Sequence, residues 1–245
     1  MGLIRYAEGD IVNDTQRLGT STWYSNTNKL TTATMKTSSV QNANNGSPGA
    51  TALGSHYINV YYNNSLSGSE FSVAYGHIKG SGSLDYTTGT GGTGFSPSKV
   101  IYNQYRQLVF GDENSSFSFN GYTAPHIYVV NVSRARYKHN LKPASMMLTL
   151  TANGAAKIYT DDSITTSGSA VMTNAGRQFN IVEGTTPGVM TPSANGLNQS
   201  NGNAHGCYGL FYPDSGFMVF NPDALDAEHG GTAIQPDVTS NLTQN

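Results

Sequence analysis

The stretch Cys207-Tyr-Gly-Leu-Phe-Tyr-Pro-Asp-Ser-Gly-Phe-Met-Val-Phe-Asn221 decides the fold class. Two apolar runs, Tyr208-Gly-Leu-Phe-Tyr212 and Phe217-Met-Val-Phe220, flank Pro213-Asp-Ser-Gly216. Each run is too short to be a helix. The residues between them are turn formers: proline presets φ, aspartate bonds its local backbone, and glycine accepts a positive φ. Short apolar runs joined in this way make an antiparallel hairpin.

Outward from the hairpin the pattern repeats. His126-Ile-Tyr-Val-Val-Asn-Val132 is β-branched or aromatic almost throughout, and Phe71-Ser-Val-Ala-Tyr75 places Phe71, Val73 and Tyr75 on one face. His56-Tyr-Ile-Asn-Val-Tyr-Tyr62 sets Tyr57, Asn59 and Tyr61 against Ile58, Val60 and Tyr62. Met146-Met-Leu-Thr-Leu-Thr151, Ala156-Lys-Ile-Tyr159 and Gln178-Phe-Asn-Ile-Val182 continue the series, each bounded by Gly, Asn, Ser, Asp or Pro. Two short helices interrupt it. Ser96-Pro97 is an N-cap followed by a first-turn proline, and Ile101, Tyr105, Leu108 and Val109 share one helical face before Gly111. Asn221-Pro222 opens a second helix, Asp223-Ala-Leu-Asp-Ala-Glu228.

The expected fold is therefore mostly β: antiparallel sandwich or barrel-like sheets with one or two short helices and long Gly/Ser/Thr/Asn-rich loops at 37–54, 80–94 and 185–206. The expected organisation is an extended N-terminal arm or peripheral strands over 1–54 and a main β-rich domain over 55–230. An extended C-terminal arm, or a truncated continuation, follows over 231–245. No heptads or fixed-period repeats occur, which disfavours a coiled-coil fibre.

The length, 245 residues, suffices to bury a core. Only 11% of residues are charged, against about 25% in ordinary soluble domains, and the formal net charge is -2. Neither nucleic acid nor an acidic membrane is an expected partner of such a balance. No stretch approaches the roughly 18 apolar residues of a membrane span. Met1-Gly-Leu-Ile-Arg-Tyr6 runs at once into Glu8 and Asp10, so no secretion signal is expected. The single cysteine, Cys207, makes no internal disulfide and reads as a small buried hydrophobe, which suits assembly in a reducing cytoplasm.

Residues that could carry chemistry do not converge. His56, His77, His126, His139, His205 and His229 show no metal-ligand spacing, so no metal or other cofactor is expected. His205-Gly-Cys207 lacks an oriented base and an oxyanion site. Asp161-Asp162 reads as a turn pair after a strand rather than a calcium site, and Asp214, Asp223 and Asp226 as turn and helix-start carboxylates. Gly89-Thr-Gly91-Gly-Thr-Gly94 lacks the lysine and preceding strand of a phosphate loop. The densest basic cluster is Arg134, Arg136, Lys138, His139 and Lys142. A strand continuing from Ile127 would put Arg134, Arg136 and Lys138 on one face beside Tyr137. These four are the candidate subunit-interface residues, since arginine suits bidentate pairing with a neighbour's carboxylates. No catalytic residue stands out, and the chain reads as non-enzymatic.

Several blocks resemble virion structural proteins of contractile-tailed phages, of the cyanobacterial myophage type. They are Phe71-Ser-Val-Ala-Tyr-Gly-His77, Gly80-Ser-Gly-Ser83, Ser96-Pro-Ser-Lys-Val-Ile-Tyr-Asn-Gln-Tyr105, Phe117-Ser-Phe-Asn-Gly121, His126–Tyr137 and Gly209-Leu-Phe-Tyr-Pro-Asp214. The resemblance spans roughly residues 56 to 225, loops excepted. It implies a tail or baseplate component of the virion, present in several copies, assembled in the host cytoplasm and packed against other tail or baseplate proteins. Two other functions are carried beside it. A receptor- or glycan-binding tail module would use Trp23, Tyr57, Tyr61, Tyr62 and Tyr86 as stacking surfaces. A tail-associated glycan hydrolase would need two carboxylates across a cleft, drawn from only 15 Asp and Glu.

Overall fold

A computed structural model describes residues 34–37, 57–61, 69–80, 95–137, 139–152, 155–165, 170–191 and 207–228. The protein is mostly β, an antiparallel sheet curled into a half-barrel with two short helices. The strands are β1 (Thr34–Thr37), β2 (Tyr57–Tyr61), β3 (Ser69–His77), β4 (Ser118–Phe119), β5 (Tyr122–Thr123), β6 (His126–Val132) and β7 (Met147–Ala152). They continue with β8 (Ala155–Asp161), β9 (Val171–Thr173), β10 (Gly176–Thr186), β11 (Val189–Met190), β12 (Gly209–Tyr212) and β13 (Phe217–Phe220). Helices α1 (Pro97–Phe110) and α2 (Pro222–Glu228) complete the set. The main sheet runs β1-β2-β3-β6-β13-β12-β10-β8-β7, with β9 and β11 paired on the two edges of the long β10. The proposed arms at 1–54 and 231–245 lie outside the described residues, apart from β1, as do most of the three proposed loops.

The hairpin read from the sequence is β12–β13, with Tyr212 opposite Phe217 and Gly209 opposite Phe220. Its turn closes through the Gly216 amide on the Tyr212 carbonyl at 2.9 Å, with Gly216 at a φ of 75°. Period-two alternation then sorts side chains between the faces. Ile127, Val129, Leu210, Tyr212, Phe217 and Val219 pack on one face with α1. Tyr128, Val130, Val132, Phe211, Met218 and Phe220 turn to the other, where β8, β10 and the 141–146 segment close over them. Register keeps the faces concordant: Val219 stands opposite Val129 and Met218 opposite Val130. Each fully buried large apolar side chain contributes about 1.5–3 kcal/mol, so a core filled from both faces outweighs any single polar contact described below.

Helix α1 begins and ends where expected, with Ser96 at the N-cap position, Pro97 in the first turn, and Gly111 at a φ of 73° closing on the Gln107 carbonyl. The buried face differs from the expected one. Tyr102 and Val109 are buried and Tyr105 and Phe110 pack beside them, whereas Leu108 is 44% exposed. The cause is Gly76 on β3. A side chain there would put its Cβ 2.9 Å from the Tyr102 backbone nitrogen, so glycine lets the helix backbone lie directly on the sheet. Tyr102 is then held edge-on to Phe117, with ring centroids 5.6 Å apart. A second turn is local: Asn120 and Gly121 both take positive φ between β4 and β5, the chemistry of a two-residue hairpin. Among the described residues, no helix is long and apolar enough to cross a membrane.

Candidate functional site

The basic cluster is not on a strand. β6 ends at Val132, and Arg134–Arg136 form one 3₁₀ turn, so the expected strand face of Arg134, Arg136 and Lys138 does not form. The reason is the hairpin tip. The Val132 amide donates to the Gly216 carbonyl at 3.0 Å, Tyr137 Oη donates to the Ser215 carbonyl, and the Leu141 amide donates to the Pro213 carbonyl. The chain bends to embrace the tip instead of running on. Arg134 and Tyr137 are brought together: the guanidinium lies 4.5 Å from the ring centroid and donates to the Tyr137 carbonyl at 2.7 Å. Arg134 and Arg136 are exposed, and Lys138 lies outside the described residues.

The carboxylates fasten elements together. Asp214, at the hairpin tip, receives Arg177 from Nη2 at 2.6 Å and Nε at 3.0 Å, and also the Arg177 backbone amide at 2.8 Å. The guanidinium holds this carboxyl down at about 2. Asp161 is fully buried and accepts the Ala144 amide at 2.7 Å and the Ser163 hydroxyl. Asp162 accepts the Asn180 amide and side chain, at 2.9 and 2.8 Å, while burial pushes its carboxyl up. Both residues close β8, as expected for a turn pair. Cys207 is fully buried, and burial pushes its thiol up to about 12. His205 lies outside the described residues, as do Trp23, Tyr62, Tyr86 and the glycines at 89–94. Tyr57 and Tyr61 lie on β2.

One constellation escaped the sequence reading. His126 on β6 sets Nε2 3.1 Å from Asp223 Oδ1 on α2, and Tyr122 Oη donates to Asp223 Oδ2 at 2.6 Å. These bonds hold the Asp223 carboxyl below its usual range. His77 stands opposite His126 across the β3–β6 ladder, with ring centroids 6.1 Å apart. Its Nδ1 accepts the Lys79 amide at 3.0 Å, which leaves the proton on Nε2. The only sequence cue is that His77 ends one run of strand-forming residues and His126 begins the next. Among the described residues no group of three or more His, Cys, Asp or Glu is placed to hold a metal ion.

The uncovered apolar surface lies elsewhere. A groove of about 750 Å³ is walled by Pro143, Ala144, Ile164, Ala170 and Met172 over Phe179, with Ser163 and Arg177 as its polar lining. Ile164 is 56% and Met172 71% exposed. Ala144 holds a φ of 63°, rare for alanine, and its backbone N–H donates a hydrogen bond to buried Asp161 in that conformation. Next to this wall begins β7, the last strand of the sheet, whose Met147 is 48% exposed. Comparison with protein-family models, with curated proteins and with solved structures finds no match to the chain.

Proposed function

We propose that the chain is a structural subunit of a phage virion, of the contractile-tailed type, that works by packing against neighbouring tail or baseplate subunits. The observation that carries this reading is the division of labour among side chains. Asp161, Asp162, Asp214, Asp223 and His126 are engaged in holding elements of the chain to one another. The large apolar groups Ile164, Val171, Met172, Met147 and Val189 face outward instead. Exposed apolar surface beside a rigid sheet suits a lasting interface. The low charged fraction, 11%, agrees, because charge is depleted at the cores of such interfaces. The resemblance of residues 56 to 225 to myophage virion proteins supplies the setting.

The test is cryo-electron microscopy of the intact particle with this chain labelled. Density at the tail end, interleaved with neighbours, is the expected result. A particle that lacks the chain altogether would overturn the reading, and density at a distal fibre tip would move it to receptor binding.

A further inference from the structure

We infer that strand β7 is a self-pairing edge through which two copies of this chain join their sheets. Among the described residues β7 pairs only with β8, so one row of its backbone donors and acceptors has no strand beside it. Natural edges are blunted by charge, proline or a bulge. Met147-Leu-Thr-Leu-Thr-Ala152 carries no charge and no proline, and its six pairs with β8 run without a register break. The edge strand at the opposite end, β1, carries Lys36.

The occupant follows from symmetry. Two copies of one strand meet antiparallel about a two-fold axis perpendicular to the sheet, which keeps each face on its own side. Only registers that pair residues of the same parity satisfy this. With Thr149 on the axis, Thr149 faces its own copy, Leu148 faces Leu150, and Met147 faces Thr151. Leu148 and Leu150 are half-buried and pack against the core cluster on one face of the sheet. The copy's Leu150 and Leu148 continue that cluster in the same layer. The threonines form a neutral cross-strand pair, and half-exposed Met147 gains a neighbour. A second copy is therefore the complement that the strand itself specifies. The inference deepens the packing role proposed above and rests on it, since it names one of the neighbours.

The experiment uses the whole chain in isolation. Analytical ultracentrifugation is expected to show a concentration-dependent monomer–dimer equilibrium. Thr149→Lys places two ammonium groups face to face and is expected to weaken dimerisation about tenfold or more, with unchanged circular dichroism. Thr149→Cys is expected to form a disulfide-linked dimer on mild oxidation, while buried Cys207 stays silent. Ser118→Cys, exposed on β4 away from this edge, gives the rate of random collision. A wild type that is monomeric at every concentration overturns the proposal. So does a Thr149→Lys variant that dimerises as well as wild type, or a Thr149→Cys variant that crosslinks no faster than Ser118→Cys. The particle test fails independently: a chain absent from the virion yet dimeric in solution sinks the virion role alone, and a monomer found in the virion sinks the edge pairing alone.

Discussion

His126 Nε2 lies 3.1 Å from Asp223 Oδ1, a bond that reaches across 97 positions of sequence to tie strand β6 to the first turn of α2. Tyr122 completes the tie on the other carboxylate oxygen. His126 is 2% exposed and Asp223 19%, so water is a poor substitute for either partner. Asp223→Ala removes the acceptor shared by the buried His126 ring N–H and the Tyr122 hydroxyl and is expected to cost about 2 kcal/mol. Urea unfolding measures the loss, and hydrogen exchange should show α2 amides opening first. Unchanged exchange in α2 would refute the tie.

His77 makes stability depend on mild acid. Burial, then His126 and Lys79, lower its pKa below the ordinary value of 6.5. The unfolded chain therefore binds the proton at a pH where the folded chain refuses it. The stability contributed by neutral His77 is fully present above about 6.5. It is lost as pH falls from there through the folded value. Asp223, also depressed, acts in the same direction but only in the lower, carboxylate range. His77→Gln should flatten the fall in Tm between neutral and mildly acidic buffer while leaving the steeper loss at lower pH. A wild-type slope in the variant would exclude His77 as its source.

Gly76 is expected to be intolerant of any side chain. An alanine Cβ would stand 2.9 Å from the Tyr102 nitrogen and 3.1 Å from its Cα, both backbone atoms of a packed helix. Relief requires α1 to lift from the sheet, at about 2 kcal/mol. Gly76→Ala should lower the urea midpoint without changing the cooperativity of unfolding. Gly121→Ala serves as a contrast: that site has nothing within 4 Å, so only its φ of 89° resists the change.

Cys207 should be chemically silent while the protein is folded. Its thiol is fully buried, held near about 12, and directed at the Gly209 carbonyl at 3.3 Å. Because the thiolate is the reactive species, iodoacetamide in neutral buffer should leave the native protein unmodified by mass spectrometry and label it fully in urea. Rapid labelling of the native protein would mean that the β12 end of the sheet opens.

Strands β2, β3, β6, β7, β8 and β10, the β12–β13 hairpin and the limits of both helices are legible in the sequence, whereas the short β1, β4, β5, β9 and β11 are not, and β11 falls inside the loop expected over 185–206. Each legible element depends on interactions within a few residues: alternation along a strand, proline at a first helical turn, glycine where φ is positive. Of the expected helix face, Val109 and Tyr105 do meet the core, whereas Leu108 is exposed and Tyr102 is buried over Gly76, a residue on another element. The strand expected to carry the basic cluster stops at Val132 because the hairpin tip engages Val132, Tyr137 and Leu141. The Arg177–Asp214 pair, 37 positions apart, carried no sequence signal. Neither did the bond between His126 and Asp223.

The residue pattern alone marks this chain as a β protein low in charge, with apolar alternation sufficient for a two-faced sheet. Folding in three dimensions sets β6 between β3 and β13, rests α1 on Gly76, and leaves β7 at the edge among the described residues. The physical reason is range. Backbone preference and side-chain alternation act over a few residues, whereas strand order, register and buried polar pairs exist only once distant segments share one core.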